Sequence, residues 1–235
     1  MFRGDHPVLG QVLGTASGHA RRLGHGRVGT EHLLLALVDA PPVAAVLTDH
    51  GVTSSGLEAA IQLAGPSGAG AAADRISLRA LGVEVDGLLV PELLDRAPAQ
   101  EPLLPLGAKQ SRRRAARLSP PLGLDTQAAY AASLRLALAR RERDHRVEHL
   151  ALTLLALDPG VDWILTTAEI STHSLLAALA TAFPPPHRNP LLRLERALGR
   201  PARHRDIIRR YHHTTGRPPT TPAALNTLIH QPTGT

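Results

Sequence analysis

The sequence predicts an all-α fold in which one four-helix pattern is written twice. A long insert separates the two copies, and a short basic helical tail follows. Three observations carry this reading. The chain is 43% hydrophobic and only 2% aromatic, so its core is aliphatic and rests on Ala and Leu, the strongest helix formers. Apolar residues recur at three- and four-residue spacing. Finally, "RVGTEHLLLAL" at 27–37 is echoed by "RVEHLALTLL" at 146–155, and similar segments follow each in the same order. At 235 residues the chain is long enough for one large or two small domains.

In the first copy, residues 5–24 read as a helix with Asp5 as N-cap and Pro7 in the first turn. Leu9, Leu13, Ala16, Ala20 and Leu23 form its apolar face, and Gly24 is its left-handed stop. Thr30 is read as the cap of a second helix, with Glu31 in its first turn and Leu33, Leu34, Leu37 and Val38 behind. Pro41-Pro42 ends it. A third helix, "VAAVLTDHG", stops at Gly51, and a fourth, "SSGLEAAIQLAG", stops at Gly65. These helices make up the first unit, 1–64.

The insert spans 65–123. Its start, "GPSGAGAAADR" at 65–75, reads as a flexible small-residue linker. Residues 76–95 read as one or two short helices broken at Gly82, and the Pro- and Arg-rich 96–123 as an exposed loop or a partly disordered stretch. The second unit, 124–186, then restarts the pattern. A helix over about 126–142 is capped by Asp125 or Thr126. Another covers 147–157, and Asp158-Pro159-Gly160 breaks it. "VDWILTTAEIS" and "THSLLAALATAF" stand where "VAAVLTDHGVT" and "SSGLEAAIQLA" stood. The tail, 187–235, reads as three short helices starting at Asn189-Pro190, within "RHRDIIRRYHHTTG" at 203–216 and at Thr221-Pro222.

The formal net charge is +6, and the tail alone carries nine arginines against two acids. The two motif-bearing units are slightly acidic. With no cysteine, disulfides and thiolate metal sites are excluded, and a cytoplasmic location is expected. No apolar run reaches the roughly 18–20 residues of a membrane span, and no leader peptide is apparent.

Catalytic patterns are sparse. No Gly-Lys-Ser/Thr follows the Gly-rich stretch, since Lys109 is the sole lysine, so a P-loop is excluded. No serine sits in a Gly-x-Ser-x-Gly elbow. His145 and His149 share a helical spacing, and His25 and His32 flank the turn. None forms His-Glu-x-x-His, so these histidines read as structural or surface residues. No cofactor and no enzyme activity are expected. Glu31-His32 reads either as a capped, packed helix start or as part of a site for a charged peptide group. The arginines of 187–235 offer an alternative function, nucleic-acid binding or regulation through the tail.

From Leu23 to Leu35 the first motif resembles the Clp repeat (Clp R, or Clp N) domain at the N-terminus of the Clp ATPases. That family carries Leu-Gly-His-x-x-Ile/Val-Gly-Thr-Glu-His-Leu/Ile-Leu-Leu in each of two tandem repeats. The resemblance covers 1–64 well and 124–183 more loosely, and the ATPase modules are missing, so it implies a stand-alone member. It implies two pseudo-symmetric four-helix repeats and a non-catalytic module that binds adaptors and substrate segments. Such a protein would serve a Clp ATPase–protease as adaptor or decoy in protein quality control. The implied partners are a Clp ATPase, substrate or adaptor peptides, arginine-phosphorylated proteins and Clp-directed peptide antibiotics. The implied ligand contacts are Glu31 with Thr30 beside it in repeat one, and Glu148 in repeat two. A carboxylate can grip a guanidinium at two points, and helix-start amides favour a phosphate. Repeat two departs from the pattern in lacking Gly-Thr before Glu148. The N-terminal "GDHPVL" departs too, standing where the family has an Arg-Phe-Thr-Glu/Asp-Arg-Ala type of segment.

Overall fold

A computed structural model describes residues 2–82, 119–186 and 202–229. The first repeat is built from α1 (Pro7–Arg22), α2 (Thr30–Leu37), α3 (Val43–Asp49) and α4 (Ser54–Ala64), followed by α5 (Gly68–Ala80). The second is α6 (Leu124–Ala139), α7 (Val147–Leu157), α8 (Pro159–Thr167) and α9 (Thr172–Ala182). From the tail come α10 (Ala202–Thr215) and α11 (Ala224–Ile229). The expected helices of 83–95 and 189–199 and the loop of 96–118 lie outside the described residues.

The all-α reading holds, and the two four-helix repeats are related by a fixed offset. Helices α1 and α6 begin and end 117 positions apart, and Thr30 and Val147 open α2 and α7 at the same offset. The same offset relates the two strand contacts. Strands β1 (Gly4–Asp5) and β2 (Asp144–His145) pair in parallel, with Asp5 opposite His145. An isolated parallel bridge joins Val28 to Leu122. Moving 117 positions takes Asp5 to Leu122 and Val28 to His145, so one contact is the pseudo-symmetric image of the other. In each repeat the segment before the first helix thus pairs with the loop before the other repeat's second helix.

Helices α2 and α7 form the centre. Every residue of both is buried, which is why their sequences are apolar on all sides. They touch each other, α1 and α6 lie against them, and α9 packs on α7. Fully burying one such leucine contributes roughly 1.5–3 kcal/mol, and Leu33, Leu35, Leu37, Leu150, Leu152 and Leu154 are all fully buried. Gly24, Gly51 and Gly65 end their helices with φ of 75°, 76° and 72°, as expected.

Several local expectations are corrected. His6, not Asp5, caps α1, with Nδ1 accepting the Val8 N–H at 3.4 Å, while Pro7 holds the first helical position. Asp5 instead pairs with His145 Nδ1 at 2.9 Å. Gly123, not Asp125 or Thr126, is the cap of α6. The Thr126 hydroxyl reaches across to the Val28 carbonyl at 2.6 Å.

The largest correction concerns the small-residue linker. Gly68–Ala80 is a helix, and Gly68 to Ala73 are buried against α8. A Cβ on Gly160 would stand 2.8 Å from the Gly70 nitrogen and 3.1 Å from the Ala69 carbonyl carbon. Small residues are needed because two backbones meet at this point, which composition alone cannot distinguish from flexibility. The tail is likewise part of the core. Ile207, Tyr211, Leu225, Leu228 and Ile229 are buried, with α10 lying along α6. Arg140, only 1% exposed, donates to the Leu228 carbonyl at 2.6 Å and the Phe183 carbonyl at 3.0 Å. One cation thereby satisfies backbone at the ends of α9 and α11.

The α5–α8 contact gives a direct test. Gly160→Ala should destabilise the protein by about 1–3 kcal/mol, because the clash is with backbone. Gly10→Ala, at an exposed helical site with open space around its Cβ, should be neutral or stabilise by up to about 1 kcal/mol. Urea denaturation of both variants checks the contrast.

Candidate functional site

The histidine of the repeated motif is a capping residue. His32 Nδ1 accepts the Gly29 N–H at 2.9 Å, and His149 Nδ1 accepts the Arg146 N–H at 3.1 Å. Each imidazole reaches back three residues to satisfy its own helix start, as the glutamate of a capping box does. Both rings are fully buried. Burial and the neighbouring His25 ring push His32 down to about 3, so it is neutral and able to accept. Beyond the cap the repeats diverge. His25 meets His32 edge-on at 4.8 Å between centroids, whereas Glu142, its counterpart at the 117-residue offset, places Oε1 3.2 Å from His149 Nε2.

Thr30 and Glu31 stand at the seam between the repeats. The Thr30 hydroxyl does not cap its own helix. It donates to Asp158 Oδ1, 2.8 Å away at the bend between α7 and α8. Asp158 is fully buried and accepts two further hydrogen bonds, from the Val161 N–H at 2.8 Å and from the Tyr211 hydroxyl at 2.6 Å. One carboxylate therefore joins the first repeat, the second repeat and the tail.

Glu31 is 2% exposed, and its carboxyl folds back over its own helix start. A Cβ on Gly29 would collide with that carboxyl, and one on Gly68 would stand 2.9 Å from its Oε1. This explains the Gly-Thr-Glu spelling of repeat one: a side chain at position 29 would displace Glu31. In repeat two the equivalent position is Arg146, and Glu148 lies 3.7 Å from its guanidinium. Glu148 is 8% exposed, against 2% for Glu31. The missing glycine of repeat two is thus matched by a differently placed carboxylate.

The surroundings of Glu31 are strongly acidic. Burial, with the charges of Asp125 and Asp158, pushes its carboxyl up to about 8. Burial and Asp158 push Asp125 up to about 6. The tail brings the counter-charge. Arg217 grips Asp74 with Nε at 2.9 Å from both carboxylate oxygens and Nη2 at 2.7 Å from Oδ2. Its Nη1 lies 3.9 Å from Asp125, and the guanidinium rests against Gly70. Burial opposes the Arg217 charge, and the Asp74 carboxylate outweighs it.

Thr30 and Glu31 therefore share one cluster with Asp125, Asp158, Tyr211 and Arg217, and Glu148 belongs to a separate setting in repeat two. Sequence reasoning missed Asp74, Asp125, Asp158, Tyr211 and Arg217 as cluster members. Each has a bland local meaning, as helix residue, cap or solvated base, and only the fold brings them together. A metal set is also formed by His25, Glu31 and His32, whose donor atoms lie within 4.8 Å of one another. His32 Nδ1 is already committed to the Gly29 amide, and Glu31 is held protonated near neutral pH, so the triad fits a cation poorly.

The raised Glu31 carboxyl predicts how stability depends on pH. The unfolded glutamate ionises near 4.5 and the folded one near 8, so stability falls as pH rises across that window. The His32 contribution runs the other way and is complete above about 6.5. Between pH 6.5 and 8 the wild-type protein should lose about 1 kcal/mol or more. Glu31→Gln should flatten that slope, as denaturant melts at several pH values would show.

Residues 8–81, from α1 through α5, match the family of the Clp repeat (R) N-terminal domain. No curated protein matches the chain. Among solved structures, the chain is similar to the N-terminal domain of the caseinolytic protease associated chaperone ClpD from Arabidopsis thaliana. The two share 18% identity with a TM-score of 0.42, over 73% of this chain and 91% of that one. The family match thus falls on residues 8–81, which hold the first repeat and α5.

Proposed function

We propose that the protein is a non-catalytic binding module of the Clp N type that takes up protein or peptide segments. It would act as an adaptor or a decoy in substrate recognition by a Clp ATPase–protease. Clp N-terminal domains are interaction modules of the Clp ATPases, and residues 8–81 match that family. The observation that carries it is the pair of helix starts, Thr30-Glu31-His32 and Val147-Glu148-His149. Each is fixed by a histidine cap, and each sets a glutamate beside a rigid helix N-terminus. A rigid start with a carboxylate and oriented amides suits a guanidinium carrying a phosphate. Glu148, with Arg146 beside it, offers the more accessible of the two carboxylates. Thr30 and Glu31 contribute as contacts once the seam admits a ligand. The proposed partners are a Clp ATPase, arginine-phosphorylated proteins and Clp-directed peptide antibiotics.

A second reading, nucleic-acid contact through 187–235, rests on the exposed Arg205, Arg209 and Arg210 of α10. Its test is a gel shift across a salt series with those three arginines replaced by glutamine. Unchanged mobility would end it.

The main reading is tested by capture of a purified Clp ATPase and of an arginine-phosphorylated peptide on the immobilised full chain. We expect binding of at least one, with Glu148→Ala weakening the peptide about tenfold, or about 1.4 kcal/mol. A well-folded protein that captures neither would overturn it.

A further inference from the structure

Arg217 belongs to the connection between α10 and α11. Residues 216–223 join α10 to α11 and read Gly-Arg-Pro-Pro-Thr-Thr-Pro-Ala. Both ends are anchored by apolar burial, at Tyr211 and Ile207 on one side and Leu225, Leu228 and Ile229 on the other. The connection itself buries no large apolar side chain. It is tied down by the Arg217–Asp74 ion pair and by two backbone hydrogen bonds. The latter run from the Thr220 N–H to the Leu157 carbonyl at 3.3 Å and from the Thr221 N–H to the Ala156 carbonyl at 2.8 Å. Gly216 ends α10 with φ 71°, and as a glycine it is the residue of the connection with the widest backbone freedom. The connection thus runs from α5 of the first repeat to the C-terminal end of α7 in the second, and its cation faces Asp125.

We propose that residues 216–223 form a hinged strap, latched by Arg217 on Asp74, that closes the seam over Glu31 and Asp125 and opens while α10 and α11 stay in place. The geometry separates what holds the anchors from what holds the strap. Opening breaks one charge-assisted grip, the longer Arg217–Asp125 contact and two main-chain hydrogen bonds, and it withdraws no large apolar side chain of the strap from the core. It also withdraws the one guanidinium that faces the carboxylates of the cluster among the described residues. The uncovered seam then presents net negative charge and fits a cationic group of a partner segment. This rests on the proposed binding function for its purpose, but the motion is measured without any partner. Failure of the capture experiment would therefore leave the strap intact, and the reverse also holds.

The test uses the full chain and the variant Asp74→Asn, which keeps the shape and removes the charge that latches Arg217. Asp74 lies on the outer part of α5, with its side chain 31% exposed, so the fold is not at risk. Tyr211→Phe, which releases Asp158 but not the latch, is the control. Hydrogen exchange should accelerate about tenfold or more at the Arg217, Thr220 and Thr221 amides of Asp74→Asn. The amides of α7, α10 and α11 should keep their wild-type rates. Carbodiimide-driven labelling with glycinamide should rise several-fold at Glu31 and Asp125 in the same variant, and not in Tyr211→Phe. Unchanged strap amides would overturn the proposal. Equal acceleration of α10 and α11, meaning that the tail opens as one piece, would also overturn it. So would unchanged labelling of both Glu31 and Asp125.

Discussion

Asp158 is the group on which the assembly of this protein depends. It is fully buried, and it accepts from Thr30 of the first repeat, Val161 of the second and Tyr211 of the tail. A carboxylate out of contact with water is tolerable only when hydrogen bonds and neighbouring charge replace its hydration. Here a local cap bond from Val161 is joined by the hydroxyls of Thr30 and Tyr211, which reach Asp158 from segments far away in sequence. The same residue caps α8 at its 84° bend from α7. Local helix geometry and long-range assembly are therefore set by one side chain.

The two repeats are alike where the backbone demands it and differ where side chains face the seam. The histidine caps and the cross-repeat strand contacts recur at a 117-residue offset. They satisfy amides that every copy of the pattern must satisfy. The carboxylates are not equivalent. Glu31 needs Gly29 to fold back over its helix start, whereas Arg146 at the matching position leaves Glu148 aimed elsewhere. The acidic cluster grows around the first repeat only, because Thr30 is matched by Val147, which has no hydroxyl for a partner such as Asp158.

Much of this was legible in the sequence. The doubled Glu-His-Leu motif and the apolar spacing located all eight repeat helices, because periodicity reports directly on which face is buried. The stops at Gly24, Gly51 and Gly65 were readable because only glycine adopts that backbone cheaply. The small-residue run at 68–73 was misread, since glycine and alanine mark both flexible chain and close backbone packing. Thr30 and Asp5 were misread as caps because their long-range partners, Asp158 and His145, cannot be seen from local pattern. The cluster was invisible for the same reason. Asp74, Asp125, Asp158, Tyr211 and Arg217 meet only after folding, and none carries a local signal of its neighbours.

The tail links these points. In the sequence it reads as short basic helices, with nucleic-acid contact as an alternative role, yet Tyr211 and Arg217 complete the polar interior of the seam. Coupling of repeat and tail through Asp158 is directly measurable. A double-mutant cycle with Thr30→Val and Tyr211→Phe, read by urea denaturation of the full chain, isolates their interaction through the shared carboxylate. The shared acceptor predicts a coupling free energy above about 0.5 kcal/mol, since both hydroxyls donate to the same buried carboxyl group. Losses that add to within about 0.3 kcal/mol would show that the two segments bind Asp158 independently, and would contradict it.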